Sequence, residues 1–198
     1  MLGELYVLDV GCGVNPVGDV NCDLFVEDTE GHRTILHNER FKLDQRKVSN
    51  FVCCDAQYLP FKSGCFDLVN SRQVIEHVKH PELMAKDMVR VSRDLIVIET
   101  VHRRGERLMP KVGRRWISKV HVNKFDYSYF GKLAKMLNVH LVQSEALTWN
   151  PVIQLFGFSF LRMPCVIRVI FSKNCGDWGL YWMSGLDAKR RYLEFVGL

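Results

Sequence analysis

Seven short apolar runs lie along the chain with longer amphipathic or polar stretches between them, the sequence sign of a parallel sheet flanked by helices. The runs are 5–10, 20–25, 50–54, 66–70, 95–99, 139–146 and 165–171. Between 81 and 92, Leu83, Met84, Met88, Val89 and Val91 fall near helical spacing, and Pro81 suits a first turn, so the spacing predicts an amphipathic crossover helix. The stretch 126–137 reads the same way, with Tyr129, Phe130, Leu133 and Leu137 on one face and Lys132 and Lys135 on another. The expected class is α/β, a doubly wound sheet with helices on both faces.

With 198 residues, 47% of them hydrophobic, the chain is long enough for one compact core and short for two, so we expect a single domain over 1–198 with 173–198 as a candidate tail. The longest apolar stretch, 151–171, is interrupted by Arg162 and Arg168, which argues against a membrane span. Met1 to Glu4 shows no basic segment leading into an apolar one, so the expectation is a cytoplasmic protein. Seven cysteines stand without a Cys-x-x-Cys pair or zinc-type spacing, so they read as reduced thiols and no metal ligand is named. Adjacent Cys53 and Cys54 sit in an apolar run and read as core filling.

Two stretches break the regularity. Residues 27–49 form a long, charged connection with a weak apolar period at Ile35, Leu36, Phe41 and Leu43, read as a short surface helix. Residues 101–124 hold eight basic side chains against Glu106 alone, a local charge of +7 in a chain of net charge +5. Such a stretch either solvates or faces an anion, nucleic acid or lipid. Between 152 and 161, alternating Phe156, Phe158 and Phe160 read as a buried strand or hairpin, with an apolar substrate lip as the alternative.

The strongest local signal is the run Leu8-Asp9-Val10-Gly11-Cys12-Gly13, an apolar strand that ends in an acid and enters Gly-x-Gly. Glycines there permit a sharp turn and the close approach of a ligand. Pro16 stands where a dinucleotide fingerprint needs its third glycine, and no Gly-Lys-Ser/Thr follows, so pyrophosphate and Walker sites are disfavoured. Asp23 closes the second strand, where an acid can take both hydroxyls of a ribose, and Asp55 with Ala56 closes the third, where an acid and a main-chain N–H can read an adenine edge. Asp9, Asp23 and Asp55 therefore end three successive strands, on the side of an open α/β sheet where ligands bind.

With these motifs in that order, through LDVGCG, CDAQYLPF, FDLVNSRQVIEHV and LIVIET, the chain resembles the class I S-adenosylmethionine-dependent methyltransferases, in their UbiE-like, type 11 branch. The resemblance is close over 5–100 and looser through NKFDYSYFGKLAKML. It implies a Rossmann-like seven-stranded sheet, mostly parallel with one antiparallel strand, and S-adenosylmethionine as the cofactor. By position, Asp9, Gly11, Cys12 and Gly13 would face the methionine portion, Asp23 and Leu24 the ribose end, and Asp55 and Ala56 the adenine. Ser71 and Gln73 would line the pocket after strand four.

The chain departs from the family pattern in three ways. Asn15 holds the third loop position, as a residue that tolerates left-handed backbone. Nine residues between Gly13 and Asp23 leave no room for a full first crossover helix. The first strand comes almost at the start of this sequence, so the expectation is a site without the helices that precede strand one in many relatives, open or covered by another segment or subunit, with a homodimer as one form of that cover. The implied chemistry is methyl transfer by in-line displacement to an unidentified acceptor, with donor and nucleophile about 3–3.5 Å apart. His77, His102 and His121 are candidate bases, and no catalytic residue is named. The rival readings are a cofactor-binding partner protein without turnover and a nicotinamide-dependent oxidoreductase; Pro16 counts against the second.

Overall fold

The computed structural model describes residues 5–27, 44–108, 121–148, 154–155, 158–159 and 164–174. Its centre is a seven-stranded sheet. The strands are β1 (Val7–Val10), β2 (Val20–Asp23), β3 (Phe51–Cys53), β4 (Phe66–Arg72), β5 (Ser92–Val101), β6 (His140–Thr148) and β9 (Pro164–Ser172), lying in the order β3-β2-β1-β4-β5-β9-β6. β1 to β5 pair in parallel, and β9 runs antiparallel to both β5 and β6. Strand order reverses direction between β1 and β4, which makes the carboxyl ends of β1, β2 and β4 the crevice of the sheet. All seven runs read from the sequence are strands of this sheet, and the one assigned to the antiparallel place occupies it.

Alternation along the strands sorts two cores. Leu8, Val10, Val69, Ile96, Ile98, Ile167, Val169 and Phe171 point to one face, Val7, Leu68, Val97 and Ile170 to the other. The first face packs against α1 (Pro81–Val91) through Met84, Ala85, Met88 and Val91, and against α3 (Tyr127–Leu137) through Phe130, Leu133 and Ala134. Each of the buried Met, Val, Phe and Leu side chains among them stabilises the fold by about 1.5–3 kcal/mol. Pro81 opens α1, and Ser92 ends it in extended backbone because the chain passes directly into β5. Asp126 caps α3 by accepting the Tyr129 N–H at 3.2 Å, and Asn138 ends it in the left-handed conformation at φ 53°.

Elsewhere the structure refines the reading. Cys53 is exposed, because β3 is the edge strand, while Cys54 packs against the core; the pair does not fill the interior together. No helix joins β1 to β2, as the short spacing requires. Of the 27–49 connection, Asp44 bridges Glu27 and Gln45–Lys47 form a 3-10 turn; Ile35, Leu36, Phe41 and Leu43 lie outside the described residues. β7 (Gln154–Leu155) and β8 (Phe158–Ser159) pair antiparallel, in keeping with a hairpin, whereas Phe156 and Phe160 lie outside the described residues. A short helix, α2 (Arg103–Leu108), begins the basic stretch, whose residues 109–120 also lie outside, as does nearly all of the candidate tail. Among the described residues no helix is long and apolar enough to cross a membrane.

Candidate functional site

The turn after β1 is built on β2. Gly11 and Cys12 both donate their N–H to the Cys22 carbonyl, at 2.8 and 3.1 Å, with Gly11 at φ +69° and Gly13 at φ +53°. The two glycines serve different ends. A Cβ on Gly11 would run into the Val74 side chain, so that glycine is required by packing inside the protein. A Cβ on Gly13 would meet nothing within 4 Å, so Gly13 lines open space. Asn15 keeps ordinary backbone, not the left-handed form; its carbonyl accepts from Arg72 Nη2 at 2.9 Å.

Asp23 reaches across to this loop. Its Oδ2 accepts the Gly13 N–H at 3.0 Å and its Oδ1 the Phe25 N–H at 3.1 Å. Each carboxylate oxygen keeps a further lone pair, the number needed by the two hydroxyls of a ribose. Leu24 beside it is 56% exposed, a flat apolar surface at the same edge. Asp9, by contrast, stands behind the loop. It is 1% exposed, accepting from Val17 N at 3.1 Å and Asn70 Nδ2 at 2.8 Å with Arg72 at 3.9 Å, and burial raises its carboxyl above the usual range.

Asp55 and Ala56 follow β3. The Asp55 carboxylate accepts the Gln57 N–H at 2.8 Å and its side-chain amide at 3.1 Å, and Gln57 Oε1 accepts the His80 N–H at the start of α1. α1 holds the next part of this loop through Arg90, which donates to the Leu59 and Phe61 carbonyls at 2.7 Å and pairs with Asp87. Ser71 and Gln73 come at the end of β4. Gln73 is left-handed at φ +56° and donates its N–H to the Glu99 carbonyl at 2.8 Å. Ser71 is 1% exposed, and its Oγ has no hydrogen-bond partner among the described residues, a buried hydroxyl that a ligand can satisfy.

The structure thus brings Gly13, Asp23, Leu24, Asp55, Ala56, Ser71 and Gln73 to one sheet edge, with Asp9 and Gly11 as its support. Cys12 sits between the glycines, and burial beside Asp23 and Asp9 pushes its thiol up to about 12, so it stays protonated. Two supports escaped the sequence. Gln45, 1% exposed, donates to the Gly13 carbonyl at 2.7 Å from the 3-10 turn, and Arg72 holds the Asn15 carbonyl. A polar side chain in a charged connection gave no signal of its role.

The three histidines separate. His102 is buried and its Nδ1 accepts the Arg104 N–H at 3.0 Å, a cap at the start of α2; burial lowers its pKa. His77 and His121 pair edge to face with ring centres 4.8 Å apart. Burial, with His77 and Lys124 beside it, pushes His121 down to about 4, so it is neutral at physiological pH. Glu76, wholly buried, lies with them.

A family model described as "Methyltransferase domain" matches residues 8–95. Ajmaline N-methyltransferase of Rauvolfia serpentina is 30% identical over 128 residues, 54% of this chain and 44% of that one. The chain spans less than half the length of the curated relatives it matches. Among solved structures, a S-adenosylmethionine-dependent methyltransferase of Thermotoga maritima superposes with a TM-score of 0.62 at 14% identity, covering 88% of this chain and 84% of that one. One from Archaeoglobus fulgidus gives 0.62 at 16%, covering 84% and 85%. At these identities the structural likeness establishes the fold alone. Residues 8–95 are thus similar to the methyltransferase-domain family, and the chain has the fold of solved S-adenosylmethionine-dependent methyltransferases.

Proposed function

We propose that this chain binds S-adenosylmethionine across the carboxyl ends of β1 to β4 and transfers its methyl group to an acceptor at that edge. The observation that carries the reading is the bond from Gly13 to Asp23, which joins a glycine facing open space to a carboxylate with lone pairs to spare. Gly11, Cys12 and Gly13 hold the methionine portion, Asp23 and Leu24 the ribose and one face of the base, and Asp55 and Ala56 the adenine edge. Asp9 acts from behind, fixing Val17 and Asn70 so that the loop keeps its shape. Ser71 Oγ gives the bound molecule a hydroxyl at the end of β4.

When bound, the cofactor supplies a methyl group already activated by the sulfonium charge. What remains for the protein is positioning, so that the acceptor atom lies in line with the methyl, about 3–3.5 Å away. The basic stretch 101–124 follows β5 in the sequence, and its described start, with Arg103 and Arg104, lies just past the end of that strand, which supports an anionic acceptor such as a nucleic acid or lipid. A cytoplasmic setting, where thiols stay reduced, suits Cys12, Cys22, Cys53, Cys54 and Cys65, all free.

Turnover is tested by incubating the protein with methyl-labelled S-adenosylmethionine and pools of nucleic acid, lipid and small metabolites. The expected result is label in one pool together with S-adenosylhomocysteine. Cofactor binding with no label in any pool would favour the non-catalytic partner reading.

A further inference from the structure

We propose that Glu76, His77 and His121 form a binding site for a divalent transition cation of the zinc class, at the ends of β4 and β5. The proposal goes beyond methyl transfer and does not depend on it. One ligand atom from each of the three lies within 4.8 Å of the others. Two imidazole nitrogens and a carboxylate oxygen are a donor set that zinc and its neighbours accept, and three protein ligands leave a position open for water or a ligand oxygen. The edge of a tetrahedron with bonds of 2.0–2.1 Å is roughly 3.4 Å, so small side-chain rotations close the triad around an ion. The two rings cross at 76° and do not stack, so one nitrogen of each can turn toward a common point.

The segments that carry these residues are tied together. Val122 and Asn123 both donate their N–H to the Glu76 carbonyl, at 3.0 and 3.1 Å, and Asn123 Nδ2 donates to the Val78 carbonyl at 2.6 Å. His121 is thereby held against the turn that bears Glu76 and His77, although it lies far from them in sequence. Thr100 Oγ1 donates to Glu76 Oε2 at 2.8 Å, fixing the carboxylate from outside as an outer partner of a metal ligand does. Glu76 is wholly buried and the two histidines half-buried, so the oxygen sits at the base and the imidazoles toward the edge.

The test is a Co2+ titration of the full chain after treatment with a chelator, followed by absorption, with Zn2+ then added as competitor. The expected result is a single equivalent of Co2+, visible ligand-field bands without a thiolate charge-transfer band, and displacement by Zn2+. His77→Ala and His121→Gln should each weaken Co2+ binding at least tenfold, about the scale at which even outer partners of a metal act. His140→Ala, at an exposed position on β6, should change nothing. Circular dichroism identifies the folded variants, and His121→Gln keeps a polar side chain in place for that purpose. No uptake of either ion, a thiolate band, or unchanged affinity in a folded His77 or His121 variant would overturn the proposal.

Discussion

The carboxylate of Asp23 accepts the amide N–H of Gly13 at 3.0 Å, so the acid that ends β2 and the glycine loop that follows β1 form one hydrogen-bonded unit. Asp23→Ala removes this bond and the one to Phe25, along with the ribose contacts proposed for it. S-adenosylhomocysteine should then bind about 10–150-fold more weakly, the equivalent of about 1.5–3 kcal/mol for hydrogen bonds to a charged group. Because the loop is tied to Asp23, a fragment carrying only the methionine portion should lose affinity as well. Calorimetry with both ligands checks this, and unchanged binding of the fragment would uncouple the loop from the acid.

The two glycines of the loop should fail in different ways. Gly11→Ala puts a Cβ into Val74 at a left-handed φ, and should cost about 2–4 kcal/mol of stability in urea unfolding. The double variant with Val74→Ala should recover part of that loss. Gly13→Ala should cost only about 1 kcal/mol of strain, yet weaken cofactor binding at least tenfold, or about 1.4 kcal/mol, because its Cβ enters open space. Equal stability losses in the two single variants would contradict this division.

On the far side of the sheet, Arg168 donates to Glu99 Oε2 at 2.7 and 3.0 Å across the antiparallel β5–β9 pair, and Arg168 is only 6% exposed. Glu99→Ala leaves a buried guanidinium without this partner. It should destabilise the protein by about 1.5–3 kcal/mol, the scale of a hydrogen bond to a charged group. Replacing both residues by apolar ones should cost less than the single change, which a double-mutant cycle in denaturant would show.

His102 should give the protein an acid-sensitive limb. Burial holds its folded pKa below 6.5, so its contribution is complete above pH 6.5 and is lost as the pH falls below that value and the unfolded chain takes up the proton. Protonation would also remove the Nδ1 acceptor that caps α2. Melting temperature followed from pH 7.5 down to 5 should fall in the parent and fall less in His102→Gln. Parallel profiles would show that His102 does not set the limb.

Much of this architecture was legible because seven short apolar runs and two helical stripes lie along the chain. Met84, Met88, Phe130 and Leu133 announce the faces they bury. The strand-end acids were legible as a group, since an acid after an apolar run has few reasons to be there, but their division of labour was not. Asp9 and Asp23 look alike in sequence, and only the fold turns one inward to Asn70 and the other to the N–H of Gly13 in the loop. Gln45 and Arg72 gave no signal, because their partners are main-chain carbonyls 32 and 57 residues away. His121 was read only as a candidate base, and its place beside Glu76 gave no signal for the same reason: the hydrogen bonds that bring it there are made by the main chain of its neighbours.

The most direct test of the methyltransferase reading is calorimetric titration of the protein with S-adenosylhomocysteine, paired with a thermal melt. We expect saturable binding at one site and, with ligand at about 100 times its dissociation constant, roughly 2.7 kcal/mol of added stability. Both effects should be absent or much reduced in Gly13→Ala. No heat of binding and no shift in melting, in protein shown to be folded, would contradict the account.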